Sequence, residues 1–308
     1  MKLFAKDSIH NDIDKPTAIA LGNFDGVHIG HQKLIKEITD MSALHGYTSL
    51  VWSFETHPEN ILYDFIRVKS ITTLDEKTQL LFALGVDTVY YEDFKSVREM
   101  SPMDFIKNIL IDKFHAAVVV CGFNYSFGKD GTGDAVFLES CLGRYGVKTI
   151  IIPPIICGDV LVSSTFIRYL IENGRMEEAS EFLGRNFFIT FPVVSGHKLG
   201  RTLGTPTINQ NFPKDHILPR KGVYAVRVNV GEKELYGISN VGTRPTVCSE
   251  GIINCETHIL DFNGDLVGKN IRVSFCKRLR DEIKFCSIDE LKRQIKLDIA
   301  SARDYFSI

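Results

Sequence analysis

No apolar run in these 308 residues approaches the length of a membrane span, so no membrane-crossing helix is expected. The opening Met1-Lys-Leu-Phe-Ala-Lys-Asp7 lacks the apolar core of a secretory signal. Neither sign of charge dominates. The 36 Lys and Arg stand against 38 Asp and Glu, a net charge of −2, which offers no electrostatic footprint for nucleic acid or an anionic membrane surface. Seven cysteines, at 121, 141, 157, 248, 255, 276 and 286, include no Cys-x-x-Cys pair. Odd in number and scattered, they fit reduced thiols rather than a disulfide framework. What remains is a cytoplasmic globular protein, long enough for two domains of ordinary size.

Between Thr17 and about Ile152 short apolar runs alternate with helical stretches. Ile19-Ala-Leu21 opens the series, and 48–54, 86–91, 116–121 and 147–152 follow as further strands. Helical patterns fill 75–84, 102–114 and 135–145. Near-continuous Val/Ile strands alternating with helices predict a parallel sheet covered on both faces, with ligands beyond the carboxyl ends of the strands. After Gly184 the pattern becomes short β-runs at 185–192, 223–230, 235–241, 256–262 and 271–279. Gly, Pro and Asn separate them, and Asn263-Gly264 is a hairpin signal. This predicts an all-β domain, a barrel, closed by one amphipathic helix over 287–306 with Leu291, Ile295 and Ile299 inward. The expected domains are 1–184 and 185–308.

The first strand runs into Gly22-Asn-Phe-Asp-Gly-Val-His-Ile-Gly-His31 and then a helix with Leu34, Ile35 and Ile38 on one face. His28 and His31 stand three apart at the mouth of that helix, on one side, and Gly30 lets a ligand approach the backbone. Helix-start amides favour anions, and imidazoles add donors, which makes a phosphate-handling turn. Solvated or capping histidines are the plainer alternative. Val162-Ser-Ser-Thr-Phe-Ile-Arg-Tyr-Leu-Ile-Glu-Asn-Gly174 is a second helix start. Ser163 or Ser164 is its N-cap, Phe166, Leu170 and Ile171 form its buried stripe, and Gly174 is its stop. Arg168, one turn in, can reach toward a polyphosphate, although a capped structural helix would need no more. Gly122-Phe-Asn-Tyr-Ser-Phe-Gly128 is not a P-loop, because Asp130 stands where Ser or Thr must hold magnesium. In the second half, Gly196, Gly200 and Gly204 form a loop able to offer amides to phosphates. Thr207 and Asn209 alternate along an extended segment, so two oxygens face one side and could hold Mg²⁺. A turn followed by an edge strand is the alternative there.

The His-x-Gly-His turn and Ser163-Ser-Thr-Phe-Ile-Arg168 resemble the signatures of the nucleotidylyltransferase superfamily. Gly204-Thr-Pro-Thr-Ile-Asn209, Tyr236–Thr246 and Cys255-Glu-Thr-His-Ile-Leu-Asp-Phe262 resemble riboflavin kinase. In this order, from Ala18 to about Tyr305, they are similar to the prokaryotic bifunctional riboflavin kinase/FAD synthetase family. The resemblance implies an N-terminal Rossmann-like nucleotidylyltransferase domain with a parallel sheet and a C-terminal antiparallel β-barrel with a C-terminal helix. The implied reactions are phosphorylation of riboflavin to FMN and adenylylation of FMN to FAD, with ATP and Mg²⁺.

It also implies site roles. His28 and His31 would act on the phosphates, and Gly22, Phe24, Gly30, Ser163, Ser164, Thr165 and Arg168 would bind nucleotide. His57, Asn124 and Phe127 would contact flavin. In the barrel, Glu256 would be the base for the riboflavin 5′-hydroxyl, Thr207 and Asn209 would hold the metal, and Gly196, Gly200, Gly204 and Thr205 would bind ATP. Arg244, Arg280 and Glu282 would lie on the flavin side. Thr56 replaces a family proline, and Tyr125 and Ser126 replace Phe and Arg, which removes one possible phosphate or flavin contact. A related nucleotidylyltransferase with another acceptor would not carry the second domain's motifs, and a non-catalytic flavin sensor would not need Glu256, Thr207 and Asn209.

Overall fold

The computed structural model describes residues 2–5, 15–63, 65–195, 205–243 and 253–308. The chain forms two compact units, Met1–Ser164 and Thr165–Ile308. The first is built on a six-stranded sheet of β1 (Lys2–Ala5), β2 (Thr17–Leu21), β3 (Thr48–Phe54), β4 (Thr88–Glu92), β5 (Ala116–Gly122) and β6 (Lys148–Ile152). Every pairing is parallel, in the spatial order β1-β4-β3-β2-β5-β6. The alternation of strand side chains divides the core in two. Ile19, Leu21, Leu50, Trp52, Val119 and Cys121 face one cluster, which includes Phe105, Ile106, Leu138 and Leu142. Ala18, Ala20, Val51, Val89, Val118 and Val120 face the other, with Leu34, Ile35 and Ile38 of α1 (Ile29–His45) and Leu81 of α2 (Leu74–Ala83). The parallel sheet covered on both faces is therefore as expected.

Two local features differ from the sequence reading. β1 has no forerunner in it, because four residues at a sheet edge carry too little pattern to stand out. The helix expected over 102–114 is a short α-turn, Pro102–Asp104, continuing as a π-helix over Phe105–Lys113. Its wider turn brings Phe105, Ile106, Ile109 and Leu110 together against the sheet. α3 (Ala135–Gly143) covers the same face.

α4 (Ser164–Glu172), which belongs to the second unit from Thr165 onward, buries Ile167, Leu170 and Ile171, while Phe166 lies half-buried against Phe182 of α5 (Met176–Leu183). The inward stripe is thus one residue displaced from the expected Phe166. Six antiparallel strands follow: β7 (Phe187–Pro192), β8 (Thr207–Asn211), β9 (Gly222–Val230), β10 (Lys233–Thr243), β11 (Ile253–Ile259) and β12 (Asn270–Arg280). Their order is β7-β12-β9-β10-β11-β8. The two outer strands are tied together just beyond β7, where the Val194 amide donates to the Asn209 carbonyl at 2.8 Å. The buried Gln210 side chain adds bonds to the carbonyls of Phe191 and Ile271 at 2.7 and 2.8 Å.

β9 and β10 form a hairpin whose turn places Gly231 at φ 61°. The Asn263-Gly264 hairpin expectation is corrected, since β11 pairs with β10 and β8 and never with β12. The turn there is a crossover, and tertiary pairing overrides the dipeptide. α6 (Ile288–Phe306), capped by Ser287, lays Ile295, Ile299, Ala302 and Phe306 on Val223, Ala225 and Ile238. Leu291 is only half-buried and lies outside that cluster. No described helix is long and apolar enough to cross a membrane, and the six described cysteines are free thiols.

Candidate active sites

β2 stops at Leu21, and the chain turns through residues 22–28 into α1. Phe24 (φ 51°) and Val27 (φ 41°) both adopt the left-handed conformation that side chains disfavour. Surrounding contacts hold them there. Both are fully buried, and the buried Asp25 carboxylate accepts the amides of Ile71 (2.9 Å) and Thr72 (3.2 Å) and the Thr72 hydroxyl (3.3 Å). The Gly26 amide donates to Thr72 Oγ1 at 3.2 Å. Ser164, first residue of α4, donates its hydroxyl to the Asp25 carbonyl at 2.9 Å. Residues 139 positions apart in the chain thus meet at this turn.

His28 is the N-cap of α1, and its Nδ1 accepts the His31 amide at 3.2 Å. That bond puts the ring proton of a neutral His28 on Nε2, the atom able to donate to a phosphate. The rings of His28 and His31 stack with centroids 3.5 Å apart and 14° between planes. A Cβ on Gly30 would lie 3.1 Å from the His28 ring. The glycine therefore makes room for a histidine as well as for any ligand. At Gly22 a Cβ would meet the Phe24 ring at 3.2 Å.

The other expected residues of the first half are distributed as follows. His57 caps a short helix, Pro58–Leu62, through a 3.3 Å bond from the Glu59 amide. Asn124 is exposed at the end of β5. Phe127 is a core residue, flanked by Phe105 and Tyr125 at 5.3 and 5.7 Å. Ser163 and Arg168 are half-buried and Thr165 is exposed.

On the barrel, β8 and β11 bring a second set together. Their register pairs Thr207 with His258, Asn209 with Glu256, and Asn211 with Asn254. Asn209 is buried and Glu256 half-buried. Asn254, also buried, donates from Nδ2 to Asn209 Oδ1 at 3.1 Å and to Glu256 Oε1 at 3.4 Å. One amide thus orients both the expected metal ligand and the expected base. Hard oxygens on one face suit Mg²⁺, which takes few protein ligands and keeps water and phosphate for the rest. Thr207 is exposed, and Thr205, half-buried, precedes the strand.

Arg280 has most of its donors engaged. Nε and Nη2 reach the buried Asp298 at 2.8 and 2.7 Å, and Nη1 reaches the Asp281 carbonyl at 2.8 Å. The Glu282 carboxylate lies directly over Gly242, where a Cβ would collide with it, and Gly242 is paired with Asn254. Gly196, Gly200, Gly204 and Arg244 lie outside the described residues.

Sequence reasoning missed Asp25, Asn254 and Lys77. Asn254 stands in a visible alternation with Glu256 and His258. Lys77 shares one helix face with Leu81, and a lysine on an apolar stripe is the signal that could have found it.

A family model described as FAD synthetase matches residues 10–166, and one described as riboflavin kinase matches residues 183–306. Curated relatives named "bifunctional riboflavin kinase/FMN adenylyltransferase" include one from Listeria monocytogenes, 35% identical over 96% of this chain and 94% of its own. Another, from Escherichia coli, is 35% identical over 97% of both chains. A third, from Bacillus subtilis, is 35% identical over 94% of this chain and 93% of its own. A solved structure named as a macrolide-efflux protein from Streptococcus pneumoniae superposes with a TM-score of 0.85 at 30% identity, covering 98% of each chain.

Proposed function

The chain belongs to the bifunctional riboflavin kinase/FMN adenylyltransferase family, and from that membership we propose how its two halves divide the work. The barrel transfers the γ-phosphoryl group of ATP to riboflavin, giving FMN and ADP. The N-terminal half joins FMN to the adenylyl group of a second ATP, giving FAD and pyrophosphate. The functional boundary is proposed near residue 185, so that 1–184 serve the second step and 185–308 the first. The substrates are small molecules, and the reactions belong in the cytoplasm, where ATP is made.

The observation that carries the reading is the Asn209–Asn254–Glu256 linkage on the barrel; the first unit carries its own stacked His28–His31 pair at a helix start. In the kinase step Glu256 takes the proton of the riboflavin 5′-hydroxyl as its oxygen attacks the γ-phosphorus and ADP leaves. Thr207 and Asn209 would hold Mg²⁺, which neutralises charge on the phosphates. Thr205 and the glycines of 196–204 would line the ATP phosphates, with Arg244 and Glu282 toward the flavin. Arg280 acts through Asp298, holding the chain that carries Glu282.

In the adenylyl step a phosphate oxygen of FMN attacks the α-phosphorus of ATP, and the bond to pyrophosphate breaks. His28 and His31 donate to oxygens where charge builds, and neither needs to act as a nucleophile. Arg168, Ser163, Ser164 and Thr165 would hold the polyphosphate, Gly22 and Phe24 the nucleotide, and His57, Asn124 and Phe127 the flavin side. Loss of one such donor should cost about 2.7–4 kcal/mol of barrier.

The test is product analysis with riboflavin, ATP and MgCl₂. FMN should appear and then become FAD. Glu256→Gln should abolish FMN formation while FAD still forms from supplied FMN, and His31→Ala should do the reverse. Folded protein that makes no FMN would overturn the kinase assignment, and FAD formation indifferent to His31→Ala would overturn the adenylyl site.

A further inference from the structure

A lysine ammonium taken out of water loses hydration that only good hydrogen bonds can replace. Lys77, on α2, is 7% exposed, and its three donors go to two carbonyls and a hydroxyl rather than to a carboxylate. Nζ lies 3.3 Å from the Asn23 carbonyl, 3.0 Å from the Phe54 carbonyl and 3.2 Å from Ser53 Oγ. It also sits 4.7 Å from the centroid of the Tyr91 ring. These acceptors share one place in the fold. Asn23 follows β2, and Ser53 and Phe54 end β3, so the ammonium bridges the carboxyl ends of two neighbouring parallel strands. Ser53 itself donates to the Asn23 carbonyl at 3.0 Å.

The same short segment grips the turn twice. Upstream of α2, Ile71 and Thr72 donate to Asp25. Within α2, Lys77 donates to Asn23. Between them the capping box of Thr73 and Glu76 sets the start of the helix, with bonds of 2.8 and 3.2 Å. The turn being gripped is the one that holds Phe24 and Val27 at positive φ and presents His28 and His31. Strained conformations of this kind persist only where their surroundings over-determine them.

We propose that Lys77 is a positioning residue for adenylyl transfer. Its ammonium fixes the Asn23 carbonyl to the end of β3, and so fixes the histidine-bearing turn against the sheet. This rests on the adenylyl-transfer reading of His28 and His31. A protonated Lys77 has a donor for each acceptor, whereas a neutral amine has two, and it keeps Ser53 only if that hydroxyl turns to donate to it and gives up the Asn23 carbonyl, so one bond in the cluster is lost either way. Burial pushes the Lys77 pKa down to about 8, with the Asp25 carboxylate acting against that shift. The other titratable groups around it come from β4, the turn and α2. Tyr91, from β4, is itself raised well above its ordinary value by burial. Asp25, from the turn, and Asp75 and Glu76, on α2, supply the carboxylates of these elements.

The experiment measures kcat and KM for FAD formation from FMN and ATP across the neutral-to-alkaline range, in wild type and Lys77→Met. Riboflavin phosphorylation by the same full-length preparation serves as control. Wild-type FAD formation should fall on an alkaline limb near pH 8 that the kinase reaction lacks. Lys77→Met should lower kcat by roughly tenfold or more, with KM for ATP little changed, and should flatten that limb while phosphorylation continues. A wild-type adenylyl profile without the limb would overturn the proposal whether or not the variant folds. So would Lys77→Met with wild-type kcat. His31→Ala is run alongside. If it abolishes FAD formation and Lys77→Met leaves kcat at the wild-type value, only this inference fails. If neither matters, the adenylyl reading has failed as well.

Discussion

Removing the Asp298 carboxylate separates a structural role for Arg280 from direct contact with flavin. Asp298 is 4% exposed and accepts from Arg280 Nε at 2.8 Å, Arg280 Nη2 at 2.7 Å and Gln294 Nε2 at 3.0 Å. Asp298→Ala leaves a guanidinium side chain that is 19% exposed facing an apolar gap between α6 and β12. Breaking a buried pair from one side costs roughly 3–5 kcal/mol. Arg280 keeps its third arm on the Asp281 carbonyl, which argues for the lower end, about 3 kcal/mol. For a domain of this size that loss should lower Tm by roughly 6–12 °C. Calorimetry on the full chain reads the barrel, while fluorescence reads the other unit alone, because the single tryptophan, Trp52, lies in β3. The Trp52 transition should not move. Arg280→Met with Asp298→Leu should restore most of the loss, since a packed apolar pair avoids the stranded charge. A barrel transition that shifts by less than about 1 kcal/mol in Asp298→Ala would refute the reasoning. Arg280 would then be available to the flavin, as the family resemblance implies.

Asn254→Ala should weaken the kinase through its metal: the Mg²⁺ concentration for half-maximal FMN formation should rise about tenfold, while FAD formation from FMN stays unchanged. An unaltered Mg²⁺ titration would remove Asn254 from the site. The buried Lys77 also predicts a pH dependence of stability. Its folded pKa of about 8 lies below the ordinary 10.5, so between those values the unfolded chain binds more protons. Stability of the first unit should therefore rise with pH through that window. Denaturant titrations followed by Trp52 fluorescence should show this slope in wild type and not in Lys77→Met. Equal slopes would show that the lysine is not titrating there.

Local pattern determined a good deal of this protein. The Val/Ile runs of β2 to β6, the helix of 29–45 behind its histidines, and the change to short β-runs after Gly184 are each written in neighbouring residues. Periodicities of two and 3.6 need no distant partner. The same holds for Thr207 and Asn209 facing one way, since strand alternation alone decides it. What depended on residues far apart was not legible. Asn263-Gly264 has hairpin chemistry, yet strand order made it a crossover. Lys77 reads as one more helix lysine until Asn23, 54 positions earlier, supplies its acceptor. Arg280, placed on the flavin side by the resemblance, shows its carboxylate partner only when α6 brings Asp298 to it. Gly30 was expected to admit a ligand, and tertiary structure adds that it first admits the His28 ring. Sequence pattern settles which way a side chain points from its own element. Only the packed fold settles what it meets there, because hydrogen-bond and charge partners are set by distance in space rather than along the chain.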